Sequence, residues 1–199
     1  MARFAVTHDY LCPFARNGAE VVLGALRDGA GHQVDFRAFS LSQVHLEDGD
    51  PPVWGRDQAP RSGVLALQWG LAVRDELPER FPAVHLALFA ARHDHGRDLN
   101  DPEVLRATMA SAGIDPDEVE KLVATGRPAA ALAADHTWAV DRHQVFGVPT
   151  FAVDERAVFV RLMGRPESPQ AARSTLERVL ALVEGWADLN EFKTTTVPR

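Results

Sequence analysis

A lone thiol stands in the stretch Asp9-Tyr10-Leu11-Cys12-Pro13-Phe14-Ala15, and Cys12 is the single cysteine of the 199-residue chain. Thiolate rather than thiol is the reactive form of cysteine, and it is favoured beside helix N-termini and cations. Proline is tolerated in the first turn of a helix, where its missing N–H is not needed. Pro13 therefore predicts a helix start with Cys12 at its edge. The free N–H groups of that end stabilise an anion, so the Cys12 pKa is expected to be lowered. A redox pair would place its second sulfur at position 15, which is Ala15. Any redox chemistry must then use one thiol and an external partner. The alternative is that Cys12 is a small buried apolar residue, a common fate of free cysteine.

A second stretch, Phe146-Gly147-Val148-Pro149-Thr150-Phe151, reads as a turn entering a strand. A cis bond at Pro149 would expose backbone polar groups able to hold an extended sulfur-bearing ligand by strand-like pairing. A plain strand-entry proline with a trans bond is the competing reading. His8 and Asp9 precede Cys12 closely. An imidazole there could stabilise a thiolate or move a proton, or the pair could be a solvated turn.

Other candidates are weaker. His93 and His95 form a His-x-His pair, which on a helix diverges by about 200° and suits one metal poorly, so no metal is expected. His136 and His143 could share a helix face but read as ordinary surface or cleft histidines. Trp54, Trp69, Phe81, Phe89 and Trp138 could line a cleft, with Trp69 and Trp138 the candidates for substrate contact, although aromatic residues at helical spacing are more often core. The glycines around Leu23 to Gly31 lack the spacing of a dinucleotide fingerprint.

These residues need elements to hold them. Arg3 to Thr7 reads as a buried strand, Pro13 to Arg27 as a helix stopped by Gly29, and His32 to Leu41 as a second strand with Val34, Phe36 and Ala38 on one face. Strand, helix and strand at this spacing make a parallel βαβ unit with a right-handed crossover. Residues 42–60 are rich in Pro, Gly and Asp and read as a loop. From Ser62 to Val145 the pattern is helical, with start signals at Asp101-Pro102 and Asp115-Pro116 and stops at Gly113 and Gly126. Residues 150–162 form a hairpin turning around Asp154-Glu155-Arg156. A closing amphipathic helix begins near Ser168, and residues 188–199 read as an irregular tail. The predicted fold is α/β, with residues 1–41 and 146–199 as one domain and 42–145 as a loop plus all-helical insertion between its βαβ and ββα halves.

Composition bounds the function. Hydrophobic residues make up 46% of the chain, enough for a core without disulfides. A net charge of −7 with no basic run argues against nucleic acid and anionic membrane surfaces as partners. The N-terminus lacks the basic-then-apolar pattern of a leader, and no stretch is long enough to span a bilayer. A soluble, cytoplasmic protein is expected, with a homodimer left open.

Together, Asp9–Asn17 and Phe146–Phe151, with a helical block between them, resemble the DsbA-like branch of the thioredoxin superfamily. That branch includes cytoplasmic actinobacterial thiol-disulfide oxidoreductases, mycothiol-dependent nitroreductases, 2-hydroxychromene-2-carboxylate isomerases and kappa-class glutathione transferases. Its element order spans nearly the whole chain, and the Glu191–Pro198 ending is similar to actinobacterial members. The resemblance implies a thioredoxin-like fold, a nucleophile at Cys12 and a substrate-contacting cis proline at Pro149 flanked by Val148. Pro13, Phe14, His8 and Asp9 would complete the pocket. Oxidoreductases of the branch usually carry Cys-Pro-x-Cys, whereas this chain has Cys-Pro-Phe-Ala. Monothiol exchange with mycothiol, bacillithiol or glutathione as co-substrate, and no tightly bound cofactor, is the implied activity. The isomerase and transferase relatives usually have serine at the first position. A thiol-dependent isomerase or transferase, acting on an electrophilic substrate, and a degenerate thioredoxin-like binding module are the alternatives.

Overall fold

The computed structural model describes residues 1–47, 49–55, 63–186, 188 and 191. Strand β1 (Arg3–His8) leads through helix α1 (Pro13–Arg27) to β2 (Gln33–Ala38). β1 and β2 pair in parallel with Arg3 opposite Gln33 and His8 opposite Ala38, as the βαβ pattern requires. After the short α2 (Leu41–Val44), five helices, α3 (Val64–Glu76), α4 (Phe81–His93), α5 (Pro102–Ser111), α6 (Pro116–Ala124) and α7 (Arg127–His143), precede the hairpin β3 (Thr150–Val153) and β4 (Arg156–Phe159). Helix α8 (Pro169–Gly185) closes the fold. The sheet order is β2-β1-β3-β4, with β3 antiparallel to both neighbours. This is the predicted α/β architecture with an all-helical insertion.

Local chemistry explains the boundaries. Asp101 and Asp115 cap α5 and α6 by accepting hydrogen bonds from the Glu103 and Asp117 amides. The hairpin turns on Asp154 and Glu155, with Asp154 at φ 51°, so Arg156 belongs to β4 rather than to the turn. The loop after β2 holds a short helix, α2 (Leu41–Val44), which the sequence reading missed. Its start is set by Ser40, whose side chain accepts from the Gln43 amide. A single 3₁₀ turn follows at Val53–Gly55. Residues 56–60 of that loop, and all of the 188–199 tail except 188 and 191, lie outside the described residues.

Helices α1 and α8 pack together and α8 also lies on β3, while α7 packs on β2. Gly24 permits a close approach of α1 to α8, since a Cβ there would sit 2.7 Å from that of Ala172. The rings of Phe4 on β1 and Phe151 on β3 stack at 6.1 Å in the core. Among the described residues, no helix is long and apolar enough to cross a membrane.

Candidate active site

Cys12 is the N-cap of α1, in extended conformation (φ −93°, ψ 118°), and Pro13 takes the first helical position. The Cys12 amide donates to Asp9 O at 3.0 Å, and Cys12 O accepts from the Arg16 amide. This places the thiol against the turn before β3, where Sγ donates to Val148 O at 3.3 Å. The two stretches, 136 residues apart, thus meet at one sulfur. The Val148–Pro149 peptide bond is cis. Pro149 rests on Gly18 of α1, where a Cβ would lie only 3.0 Å from the Pro149 ring. Thr150 N donates to Thr7 Oγ1 at 2.9 Å and fixes the start of β3 to β1.

Two opposing influences act on the thiol. The amides of Phe14 and Ala15 face it and favour thiolate, and the Arg161 guanidinium adds to them. Burial opposes both and is the larger effect, with the Asp9 carboxylate on its side, so the Cys12 pKa lies above the ordinary thiol value. The expectation of a lowered pKa is corrected here: the helix end is present, but Cys12 is 8% exposed and desolvation outweighs it.

Asp9 is no solvated turn residue. Its carboxylate accepts from the Leu11 amide at 2.9 Å and the Leu41 amide at 2.8 Å, joining the Cys12 loop to the start of α2. Burial nevertheless pushes its pKa up to about 6. His8 is also buried, and desolvation, aided by the Arg74 charge, pushes it down to about 3. It is a neutral ring at any physiological pH and supplies no cation to a thiolate, which corrects that role. It packs against Tyr10, Phe36 and, at 4.5 Å between centroids, His85. Tyr10 Oη lies 2.9 Å from His85 Nδ1.

Tyr10 is accommodated by Gly70 on α3. An alanine Cβ at Gly70 would overlap the Tyr10 hydroxyl and sit 3.1 Å from two of its ring carbons. Gly70→Ala should therefore destabilise the protein by about 1–3 kcal/mol. That outcome would overcome the roughly 1 kcal/mol advantage of alanine in a helix. Urea unfolding monitored by tryptophan fluorescence checks it; an increase in stability would mean that Tyr10 moves aside freely.

The aromatic candidates divide. Trp69 is 2% exposed within α3, so it is core rather than cleft wall, as are Phe81 and Phe89. Trp138 is half-buried beneath the Arg37 guanidinium and against His143. Trp54 packs on His136, whose Nδ1 lies 3.3 Å from the Ser40 amide. His93 Nε2 donates to Tyr10 O at 3.0 Å, a structural bond rather than a metal ligand. Exposed Pro13 and half-buried Phe14 remain beside the thiol.

Several residues that hold the site escaped the sequence reading. Arg16 pairs with Glu20 at 3.1 Å and with Asp94 at the end of α4 at 2.6 Å. Asn17 Nδ2 donates to Leu162 O at 2.8 Å. These bonds set the angle of α1 between the insertion and the segment following β4. Their types were visible in the sequence, but polar residues one turn into a helix read as solvent-facing.

A family model described as a DSBA-like thioredoxin domain matches residues 6–172. An uncharacterized protein of Mycobacterium tuberculosis is 26% identical over 164 residues, covering 82% of this chain and 70% of the relative. Among solved structures, the cytosolic disulfide reductase DsbM of Pseudomonas aeruginosa with glutathione aligns at TM-score 0.64 and 20% identity, covering 90% of this chain and 100% of that one. A probable DsbA oxidoreductase of Streptomyces coelicolor aligns at TM-score 0.61 and 20% identity, covering 98% and 94% of the two chains.

Proposed function

Because the chain belongs to the DSBA-like thioredoxin domain family, a family of thiol-disulfide oxidoreductases, we propose that it is a monothiol member acting in the cytoplasm. Cys12 thiolate attacks a disulfide, a Cys12–sulfur bond forms, and the substrate S–S bond breaks. The departing sulfur takes the electron pair and then a proton. A second low-molecular-weight thiol, of the mycothiol, bacillithiol or glutathione kind, attacks the mixed disulfide and returns Cys12 to the thiol. Val148 and Pro149 border the incoming sulfur, and Pro13 and Phe14 form the opposite wall. The observation that carries this reading is the contact of Cys12 Sγ with Val148 O, which puts the nucleophile beside the turn. A small-thiol partner and a cytosolic setting are in line with the DsbM neighbour, a cytosolic disulfide reductase with glutathione.

Incubation with glutathione disulfide followed by intact-mass measurement tests the proposal. One glutathione adduct on native protein, lost on adding free thiol, is expected. A chain that takes up the adduct only when unfolded would be a binding module instead.

The raised pKa gives a second expectation. A higher pKa means less thiolate at every pH below it. Native Cys12 should therefore be alkylated by iodoacetamide more slowly than the unfolded chain at pH 7–8. The midpoint of its rate profile should lie above about pH 8.5, where an ordinary thiol is half ionised. A native plateau in the acid range would show that the helix amides, rather than burial, dominate.

A further inference from the structure

Beside the thiol stands a cation that the proposed exchange has not yet used. Arg161 follows β4, and its guanidinium carbon lies 4.9 Å above the Phe14 ring and 5.8 Å from the Phe159 ring. Phe159 in turn meets Phe146, 70% exposed, at 5.3 Å between centroids. Gly147, next to Val148, lies under Phe159, since a Cβ there would come 3.3 Å from its ring. A strip of phenylalanine rings, with Arg161 bridging Phe14 and Phe159, thus runs from the first turn of α1 to the Val148 turn.

Arg161 has no carboxylate partner among the described residues, although this chain is acidic overall and most of the other arginines near the site are paired. Its charge acts on the Cys12 sulfur. Stacking on aromatic faces orients a guanidinium while leaving its N–H fork free for a carboxylate.

Resting on the monothiol reading, we infer that Arg161 is the carboxylate-recognition residue of the site, so that the preferred exchange partner is a carboxylate-bearing thiol or disulfide rather than a neutral one. The sulfur meets Cys12 beside Val148, the carboxylate meets Arg161, and the apolar part of the ligand lies on the phenylalanine strip. In the exchange, the Cys12 thiolate displaces one thiolate from the disulfide, and the released thiolate takes up the proton lost by Cys12. Arg161 stays unchanged, because it binds and takes no part in the bond exchange.

Two aromatic disulfides separate recognition from intrinsic reactivity: the dianionic dithiobis(nitrobenzoate) and the neutral dithiodipyridine. The measured quantity is the ratio of their second-order rates with Cys12, in the wild type and in Arg161→Gln. The loss of Arg161 also withdraws support for thiolate, which slows both reagents, and the ratio cancels that shared effect. It should fall at least about threefold in favour of the neutral reagent, within the range of exposed charge pairs. The wild-type ratio should also fall toward the variant's as salt is raised. An unchanged or increased ratio in Arg161→Gln overturns the inference while leaving the monothiol reading intact. A native Cys12 inert to both reagents, but reactive on unfolding, sinks that reading and this inference with it.

Discussion

Cys12→Ser should abolish thiol–disulfide exchange, and Ala15→Cys should change how the exchange ends. The first result follows from composition, because no second cysteine exists to substitute. Stability should change by no more than about 1 kcal/mol, since a hydroxyl can keep the hydrogen bond to Val148 O. A folded Cys12→Ser protein that still converted an electrophilic substrate with added thiol would identify the isomerase or transferase alternative. The second variant asks what the missing sulfur costs. The Ala15 amide already faces Cys12 Sγ, and residues three apart on a helix lie within about 5–6 Å of each other at Cβ. A cysteine at 15 is therefore within reach of a disulfide after modest adjustment. Attack by that neighbour on a mixed disulfide is intramolecular, with an effective concentration on the order of millimolar or more. At about 10 μM external thiol the adduct should clear at least about a hundredfold faster than in the parent. Ala15 is 1% exposed, so the added sulfur must be accommodated in packed surroundings. Adduct lifetime by quenched-flow mass spectrometry, with a urea curve alongside, checks both effects. An unchanged lifetime in a stably folded variant with a free second thiol would show that positions 12 and 15 are not aligned for exchange.

What could be read from the sequence, and what could not, divides by the range of the interaction. Pro13, the aspartate caps and the Asp154-Glu155 turn are local devices, and their chemistry is complete within a few residues. The order of elements followed from them. The balance at Cys12 was not local: the helix amides were visible, but the burial that outweighs them comes from the loop geometry and the turn before β3. Trp69 failed for a related reason. Its helix buries Val64, Leu67, Leu71 and Val73 around much of its circumference, so periodicity showed no exposed face against which to separate core from cleft. Arg161 has no motif around it, and it is singled out only by the approach of the segment after β4 to Phe14 at the start of α1. Asp9 could be read as part of a solvated turn, and its partner amide at Leu41 is 32 residues away.

Asp135 is a stability determinant that the sequence concealed, and Asp135→Ala should lower the unfolding free energy by about 2–4 kcal/mol. The carboxylate is 2% exposed on α7. Its Oδ1 accepts from Arg37 at 2.9 Å, and its Oδ2 accepts from Arg74 at 2.5 Å and from the Ala38 amide at 3.0 Å. Arg74 also donates to Phe36 O at 2.9 Å. One side chain therefore clamps α3 and α7 of the insertion to the end of β2; its removal takes one acceptor from each of two guanidinium groups, which keep Asp35 and Asp75, and leaves the buried Ala38 amide without its acceptor. Arg74 and Asp135 share one hydrogen-bonded network, so Arg74→Met combined with Asp135→Ala should be less damaging than the sum of the single changes. The clamp also reaches the Cys12 thiol. Ala38 leads through Phe39 and Ser40 to Leu41, whose amide binds Asp9, and Asp9 O receives the Cys12 amide. Loosening β2 should consequently free the Cys12 loop, so that in Asp135→Ala the thiol alkylates faster under native conditions, approaching the unfolded rate. Urea midpoints of the two single variants and the double variant, measured with alkylation rates in the absence of denaturant, test both parts. A fully stable Asp135→Ala protein would show that solvent or rearranged side chains satisfy Arg37 and Arg74, and unchanged alkylation in a destabilised one would mean that the clamp and the thiol loop open independently.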